Sequence, residues 1–303
     1  MIKMFADSGK SGTKYGCFQF EEPVLDFFPT TARLKSGPLK KGEKWLTFGP
    51  KTWIVGEEEM SPSPNATVTD KVTETHHLCA LAAVCEVMKR VGKAKEVVCT
   101  LNLPLPQYLD EQAREDAQLL YDGDYQLFYD GGTYDFRLKV VPYFEGFGLH
   151  ALYEGSGEVL AVDLGSWNTN AITFAENGNP SRKRSACLTL GMERLYRQVA
   201  ESCRPYVSEE LTPVEAKKLI GKNELWWETV DIRKAVDQTV MGFLESLRAE
   251  LLNRGIGVER CQVVFGGGGA QLLFGYVGSV FPGSEVLEEA VYANAVGSLV
   301  ALE

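Results

Sequence analysis

No segment of the 303-residue chain holds the roughly 18 consecutive apolar residues needed to cross a bilayer, so no membrane partner is expected. The opening residues, Met1-Ile2-Lys3-Met4-Phe5-Ala6, lack the length and cleavage pattern of a signal peptide. Histidine is scarce. His76 and His77 have only His150 for company, so a histidine metal site is not indicated and both read as ordinary residues of a helix. The cysteines, at 17, 79, 85, 99, 187, 203 and 261, include no C-x-x-C pair, which argues against a zinc site or a disulfide framework. Most lie inside apolar runs as small buried hydrophobes, and a reducing, cytoplasmic setting fits them. Long basic runs are also missing. The nearest, Arg182-Lys183-Arg184, sits in a turn, and a net charge of −10 argues against a surface that holds nucleic acid directly.

What is present is ordinary globular composition, 45% hydrophobic and 24% charged, in a chain long enough for two domains. The chain also repeats itself. Met4-Phe5-Ala6-Asp7-Ser8-Gly9-Lys10-Ser11-Gly12-Thr13-Lys14 reads as an apolar strand, a Gly/Ser turn and a second strand continuing through Tyr15, Cys17, Phe18 and Phe20. Val159-Leu160-Ala161-Val162-Asp163-Leu164-Gly165-Ser166-Trp167-Asn168-Thr169-Asn170 has the same grammar. Each copy places Asp at the end of a strand and Gly two positions later, and the copies are offset by 163 − 7 = 156 positions. Two related domains follow from that spacing. Glycine allows close approach and positive φ, successive amides in a tight turn make an anion-binding concavity, and hydroxyls add donors. An Asp beside such a turn would repel phosphate, so its chemistry is to hold Mg²⁺ through water. Lys14 can reach back to phosphates as a point charge.

Between and after these turns the periodicity predicts further elements. Gly49–Glu57 reads as a strand ending in a turn, Thr73–Val91 as a helix, and Val97–Leu101 as a buried strand. Tyr125–Tyr129 and Thr133–Val141 form a hairpin about an Asp-Gly-Gly turn. Pro142–Gly148 then leads to a short helix at Leu149–Tyr153, which places Glu145 on a strand-to-helix turn. Helices are expected at Gly191–Cys203, Pro213–Ile220, Val230–Asn253 and Ala290–Leu302. The strand Gln262–Phe265 enters Gly266-Gly267-Gly268-Gly269-Ala270. Four consecutive glycines cost conformational entropy, and a flat surface for a purine or ribose is the compensating gain. Small residues in Tyr292–Gly297 suit close packing at a domain junction.

In this order the segments resemble the actin/Hsp70/sugar-kinase superfamily. The chain carries a phosphate-1 hairpin at 7–14, a first connecting segment at 142–150, a phosphate-2 hairpin at 163–170, an adenosine loop at 266–270 and a second connecting segment at 292–297. Trp53-Ile54-Val55-Gly56-Glu57, His76-His77-Leu78, Val97–Leu101 and Lys139-Val140-Val141-Pro142 make it most similar to ParM-type plasmid-segregating actins.

The resemblance implies an α/β, actin-like two-domain fold. Each domain would be a mixed sheet flanked by helices, with the nucleotide in the cleft between them. Residues 1–156 plus 290–303 would form domain I, and 157–289 domain II. It implies ATP or GTP as nucleotide, with Mg²⁺ placed through water by Asp7 and Asp163. Ser8, Gly9, Ser11, Gly12 and Lys14 would cradle phosphates opposite Gly165, Ser166, Asn168 and Thr169. Gly267, Gly268, Gly269 and Ala270 would receive adenosine, while Glu145 and Asp163 would serve catalysis. Such proteins form head-to-tail filaments, hydrolyse the nucleotide and move plasmid DNA through a DNA-binding adaptor.

The second hairpin departs from the family pattern. Trp167 occupies the turn where small residues are usual, and Asn170 stands where an Asp is usual, which bears on hydrolysis more than on binding. Tyr143 competes with Glu145 for the water-activating position, although a phenol is the poorer base at neutral pH. A small-molecule kinase of the same superfamily is the alternative. It would need a dedicated substrate pocket, and no additional Asp/Asn/Glu constellation for a sugar is evident.

Overall fold

The computed structural model describes residues 1–9, 12–20, 22–57, 73–221, 226–227 and 230–302. In chain order these form β1 (Ile2–Ser8), β2 (Thr13–Gln19), β3 (Glu22–Phe28), β4 (Ala32–Leu34), β5 (Lys44–Phe48), β6 (Lys51–Val55), α1 (Glu74–Val91), β7 (Glu96–Leu103), α2 (Leu105–Leu109), α3 (Glu111–Tyr121), β8 (Gly123–Tyr129), β9 (Gly132–Phe144) and α4 (Phe147–Leu152). They continue with β10 (Val159–Leu164), β11 (Thr169–Phe174), β12 (Ala186–Leu188), α5 (Met192–Cys203), α6 (Pro213–Ile220), β13 (Trp226–Trp227), β14 (Val230–Asp231), α7 (Arg233–Asn253), β15 (Gln262–Gly266), α8 (Gly267–Leu272), α9 (Phe274–Val280), β16 (Glu285–Val286) and α10 (Ala290–Val300). The chain divides into two compact units, Met1–Gly148 with Ala295–Glu303, and Leu149–Asn294. Among the described residues no helix is long and apolar enough to cross a membrane.

The first unit is built on a nine-stranded mixed sheet in the order β3-β2-β1-β7-β9-β8-β5-β6-β4. Its core forms where α1 covers the face carrying Met4, Ala6, Tyr15, Cys17, Cys99 and Leu101. Helix α1 is buried continuously from His76 to Met88, which explains its near-absence of charge there. Each fully buried leucine, such as Leu78 or Leu81, contributes roughly 1.5–3 kcal/mol. The second unit holds a five-stranded sheet, β12-β11-β10-β15-β16, packed with α5, α6 and α7 through Leu195, Leu219, Phe243 and Leu247.

The two sheets share a plan. In β3-β2-β1-β7-β9 the pairs β3-β2 and β2-β1 are antiparallel, while β1-β7 and β7-β9 are parallel. The row β12-β11-β10-β15-β16 has the same senses in the same order. The repeat read from the two turns therefore extends over five strands.

Several boundaries differ from the periodicity. Strand β9 runs through Pro142 to Phe144, because beyond Leu138 its β8 side is no longer paired and a missing N–H is tolerated there. Helix α7 begins at Arg233 rather than Val230, since the Asp231 carboxylate accepts from the Arg233 amide and stops the preceding strand. Helices α2 and α3 follow Pro104 without an apolar period to mark them, since α2 is only five residues long and α3 is mostly polar and exposed.

His77 is packed inside the first unit. Its Nε2 lies 3.0 Å from the Tyr125 hydroxyl, which itself donates to the Tyr121 carbonyl at 2.8 Å. The Tyr hydrogen is therefore used, and His77 is the donor, a neutral Nε2–H imidazole. Burial pushes its pKa down from 6.5 to about 4. The unfolded chain binds this proton more readily, so the stability His77 confers is present above pH 6.5 and lost as pH falls toward 4. Acid titration of the unfolding free energy should show about 3 kcal/mol lost through this group once pH is below both values. In His77→Phe that part of the slope should disappear, and an unchanged slope would contradict the assignment.

Candidate functional site

In the first unit β1 and β2 pair with Asp7 opposite Lys14 and Ser8 opposite Thr13. The turn closes on Gly9, whose amide donates to the carbonyls of Gly12 and Asp7, each at 3.0 Å. Ser11 lies outside the described residues. Strand alternation puts Asp7 and Lys14 on one face, with Lys14 Nζ 3.7 Å from Asp7 Oδ2. Ser8 falls on the other face. Its hydroxyl accepts from Thr13 Oγ1 at 3.2 Å, and Thr13 Oγ1 is in turn 2.9 Å from Thr30 Oγ1. The geometry brings together Asp7, Lys14 and the glycine turn, and engages the Ser8 side chain inside the fold.

The second hairpin reproduces this register 156 positions later: Asp163 is opposite Asn170 and Leu164 opposite Thr169. Gly165 donates to the Asn168 carbonyl at 3.0 Å, as Gly9 does to Gly12. The turn is seated on the start of α5, where the Met192 and Glu193 amides donate to the Gly165 and Ser166 carbonyls at 3.0 and 2.8 Å. A Cβ on Gly191 would lie 2.3 Å from the Trp167 carbonyl carbon, so only glycine permits this approach. That support lets the turn carry Trp167, which is half-buried. Asn168 Nδ2 donates to Cys187 Sγ at 3.4 Å, and the Thr169 hydroxyl donates to the Leu190 carbonyl, so these two side chains hold the turn.

The glycine run serves the second unit in two ways. Gly266 ends β15 directly beside Asp163. Gly267 has φ +86°, and a Cβ there would lie 2.4 Å from Asp163 Oδ1, while one on Gly269 would lie 2.6 Å from Leu164 Cγ. Gly266, Gly267, Gly269 and Ala270 are buried. Close packing thus accounts for most of the run, and only exposed Gly268, with nothing within 4 Å of its Cβ position, offers a bare surface.

Glu145 is buried at the end of β9, and its amide donates to the Leu103 carbonyl at 2.8 Å. Gly146, at φ +93°, turns the chain into α4. Tyr143 is committed elsewhere. Its ring stacks on Phe147 at 4.6 Å, its hydroxyl donates to the Ala301 carbonyl at 3.4 Å, and burial raises its pKa. Among the described residues no group of three or more His, Cys, Asp or Glu side chains is gathered to hold a metal.

Four polar groups beside these elements escaped the sequence reading. Asn294, 2% exposed, places its Nδ2 3.5 Å from Asp163 Oδ2. Ser298 donates to Asn102 Oδ1 at 2.8 Å, and Thr30 extends the Ser8–Thr13 chain. A polar residue inside the otherwise apolar helix α10, or at the end of buried β7, was the available signal.

The glycine geometry can be checked by chemical unfolding. Gly267→Ala should cost roughly 2–4 kcal/mol, from a left-handed backbone and an overpacked contact with Asp163. Gly268→Ala should be neutral or up to about 1 kcal/mol stabilising, because it is helical and unobstructed. Equal effects would contradict the packing described.

No protein-family model matches the chain, and no curated protein matches its sequence. Solved structures do match. Ta0583, an archaeal actin homolog, superposes with TM-score 0.82 at 16% identity, over 99% of this chain and 98% of that one, and has also been solved in complex with ADP. The AlfA filament from B. subtilis plasmid pLS32 gives 0.71 at 17% identity, over 99% and 98%. Bacillus thuringiensis ParM with ATP gives 0.71 at 15% identity, again over 99% and 98%. At these identities the likeness is one of backbone architecture: the chain has an actin-like fold.

Proposed function

We propose that the chain is an actin-like, filament-forming ATPase of the plasmid-segregating type, using ATP or GTP with Mg²⁺ in the cytoplasm and reaching its DNA cargo through an adaptor. The observation that carries this reading is the pair of Asp-ended hairpins in identical register, each closed by one glycine amide. Likeness to an AlfA filament and to structures holding ADP or ATP supports it.

In this reading the turns at Gly9–Gly12 and Gly165–Asn168 bind phosphates by backbone amides, with Ser166 beside them, and Lys14 adds a positive charge. Gly268 and its neighbours meet the adenosine. Mg²⁺, when bound, would neutralise phosphate charge, and the hard carboxylate oxygens of Asp7 and Asp163 suit it through water. Glu145 takes the proton of the attacking water. Phosphoryl transfer asks chiefly for positioning and charge compensation, which this set supplies. Head-to-tail contacts that do not close into a ring give a filament. The chain's net charge of −10 agrees with DNA reached through an adaptor.

Light scattering and electron microscopy of the purified protein with ATP, GTP or no nucleotide test the proposal. Polymer should form only with nucleotide, and its absence over a broad concentration range would contradict the reading. Glu145→Ala should slow phosphate release by about 100-fold or more with assembly intact. Asp163→Ala should lose use of the magnesium-nucleotide. Normal hydrolysis by Glu145→Ala would remove Glu145 from the mechanism.

A further inference from the structure

The first unit carries two surfaces of opposite charge. From Arg33 to Lys51 the chain has six basic residues with only Glu43 against them, in a molecule whose net charge is −10. Arg33 is held by Glu43 and Glu57 and Lys44 by Glu86, whereas Lys35, Lys40, Lys41 and Lys51 are exposed. From Asp110 to Asp124 the balance is reversed, with six acidic residues against Arg114, and all six are exposed. Both surfaces also leave apolar side chains uncovered. On the basic side Leu34 is 51% and Phe48 37% exposed. Lys51 stands opposite Phe48 in the β5–β6 ladder, and the Lys35 amide donates to the Thr52 carbonyl at 2.9 Å, so both lysines flank these side chains. On the acidic side Leu119 is 78% exposed, one helical turn from Glu115 and beside Asp116 in the same stretch of α3. An exposed apolar anchor with a charged rim is the makeup of a protein contact.

The two surfaces adjoin. The Phe48 ring lies 5.7 Å from that of Tyr125, whose hydroxyl donates to the carbonyl of Tyr121, the last residue of α3. From this juxtaposition we infer that the partner is a second copy of the chain, paired about a two-fold axis with the Leu34–Lys51 surface of each copy on the α3 surface of the other. A two-fold contact sets residue i on j and j on i, so opposite charges side by side on one face become complementary when that face meets itself. The excess of five basic residues on one surface matches the excess of five acidic residues on the other, so a second copy neutralises both at once. Such a contact closes at two copies. It is therefore distinct from the head-to-tail contact of a filament, and it needs no nucleotide.

Sedimentation velocity of the full chain without nucleotide tests the pairing, with circular dichroism to confirm that each variant folds. Between about 5 and 200 µM the unaltered chain should pass from monomer to dimer and stop there. Lys35→Glu/Lys51→Glu and Glu115→Lys/Asp116→Lys should each raise the dimer dissociation constant by about tenfold or more, because like charges then meet. Mixed in equal amounts, these two variants should recover dimers, since each reversed surface then faces its opposite. Leu119→Ala should weaken the dimer by about tenfold through loss of the apolar anchor. A chain that stays monomeric over this range would overturn the inference, as would association that continues past two copies or a mixture no more dimeric than its components. A monomer that instead sediments with duplex DNA, and loses it in Lys35→Glu/Lys51→Glu, would overturn it by assigning the basic surface to nucleic acid. No nucleotide enters the experiment, so the reading of the hairpins stands or falls separately.

Discussion

A charged carboxylate at the end of a buried central strand is the constraint around which both units are arranged. Each such aspartate needs the chain to turn away at once, and in both units a single glycine amide closes that turn, Gly9 to Gly12 and Gly165 to Asn168. With the turn fixed, the returning strand falls into antiparallel register and the residue opposite the aspartate is determined. The parallel neighbour then follows on the other side, β7 beside β1 and β15 beside β10. The glycines after β15 belong to the same constraint, because a side chain at Gly267 would displace the carboxylate.

The repeated plan makes the differences meaningful. The first hairpin keeps Lys14 beside its aspartate and lines its reverse face with a Ser8–Thr13–Thr30 hydroxyl chain. The second places Leu164 at the position of Ser8 and Asn170 at that of Lys14, and it leans on α5 through Gly191. An ion pair thus marks the first hairpin, and seating on α5 marks the second. Trp167 is tolerated because the turn carrying it is held from beneath by the α5 amides.

Much of this was legible in the sequence where chemistry and periodicity coincide. Asp-x-Gly after an apolar strand located both turns, and the spacing of apolar residues over Thr73–Val91 marked helix α1. The glycine run was visible too, but its dominant physical reason, contact with Asp163 and Leu164, is a tertiary fact no local pattern encodes. Asn294 and Asn102 stand out in the sequence only as polar residues in apolar elements, and their partners lie far along the chain, 131 positions away for Asn294. Side-chain direction also had to come from the sheet. Adjacent Asp7 and Ser8 read alike as ligands, yet strand alternation sends them to opposite faces.

Calorimetric titration of the purified chain with ATP in Mg²⁺ tests most directly the proposal that the Asp-ended hairpins bind nucleotide. The account predicts ATP binding that is weakened by Asp163→Ala and by Lys14→Ala. No binding by the unaltered chain, or binding unchanged by both substitutions, would contradict it.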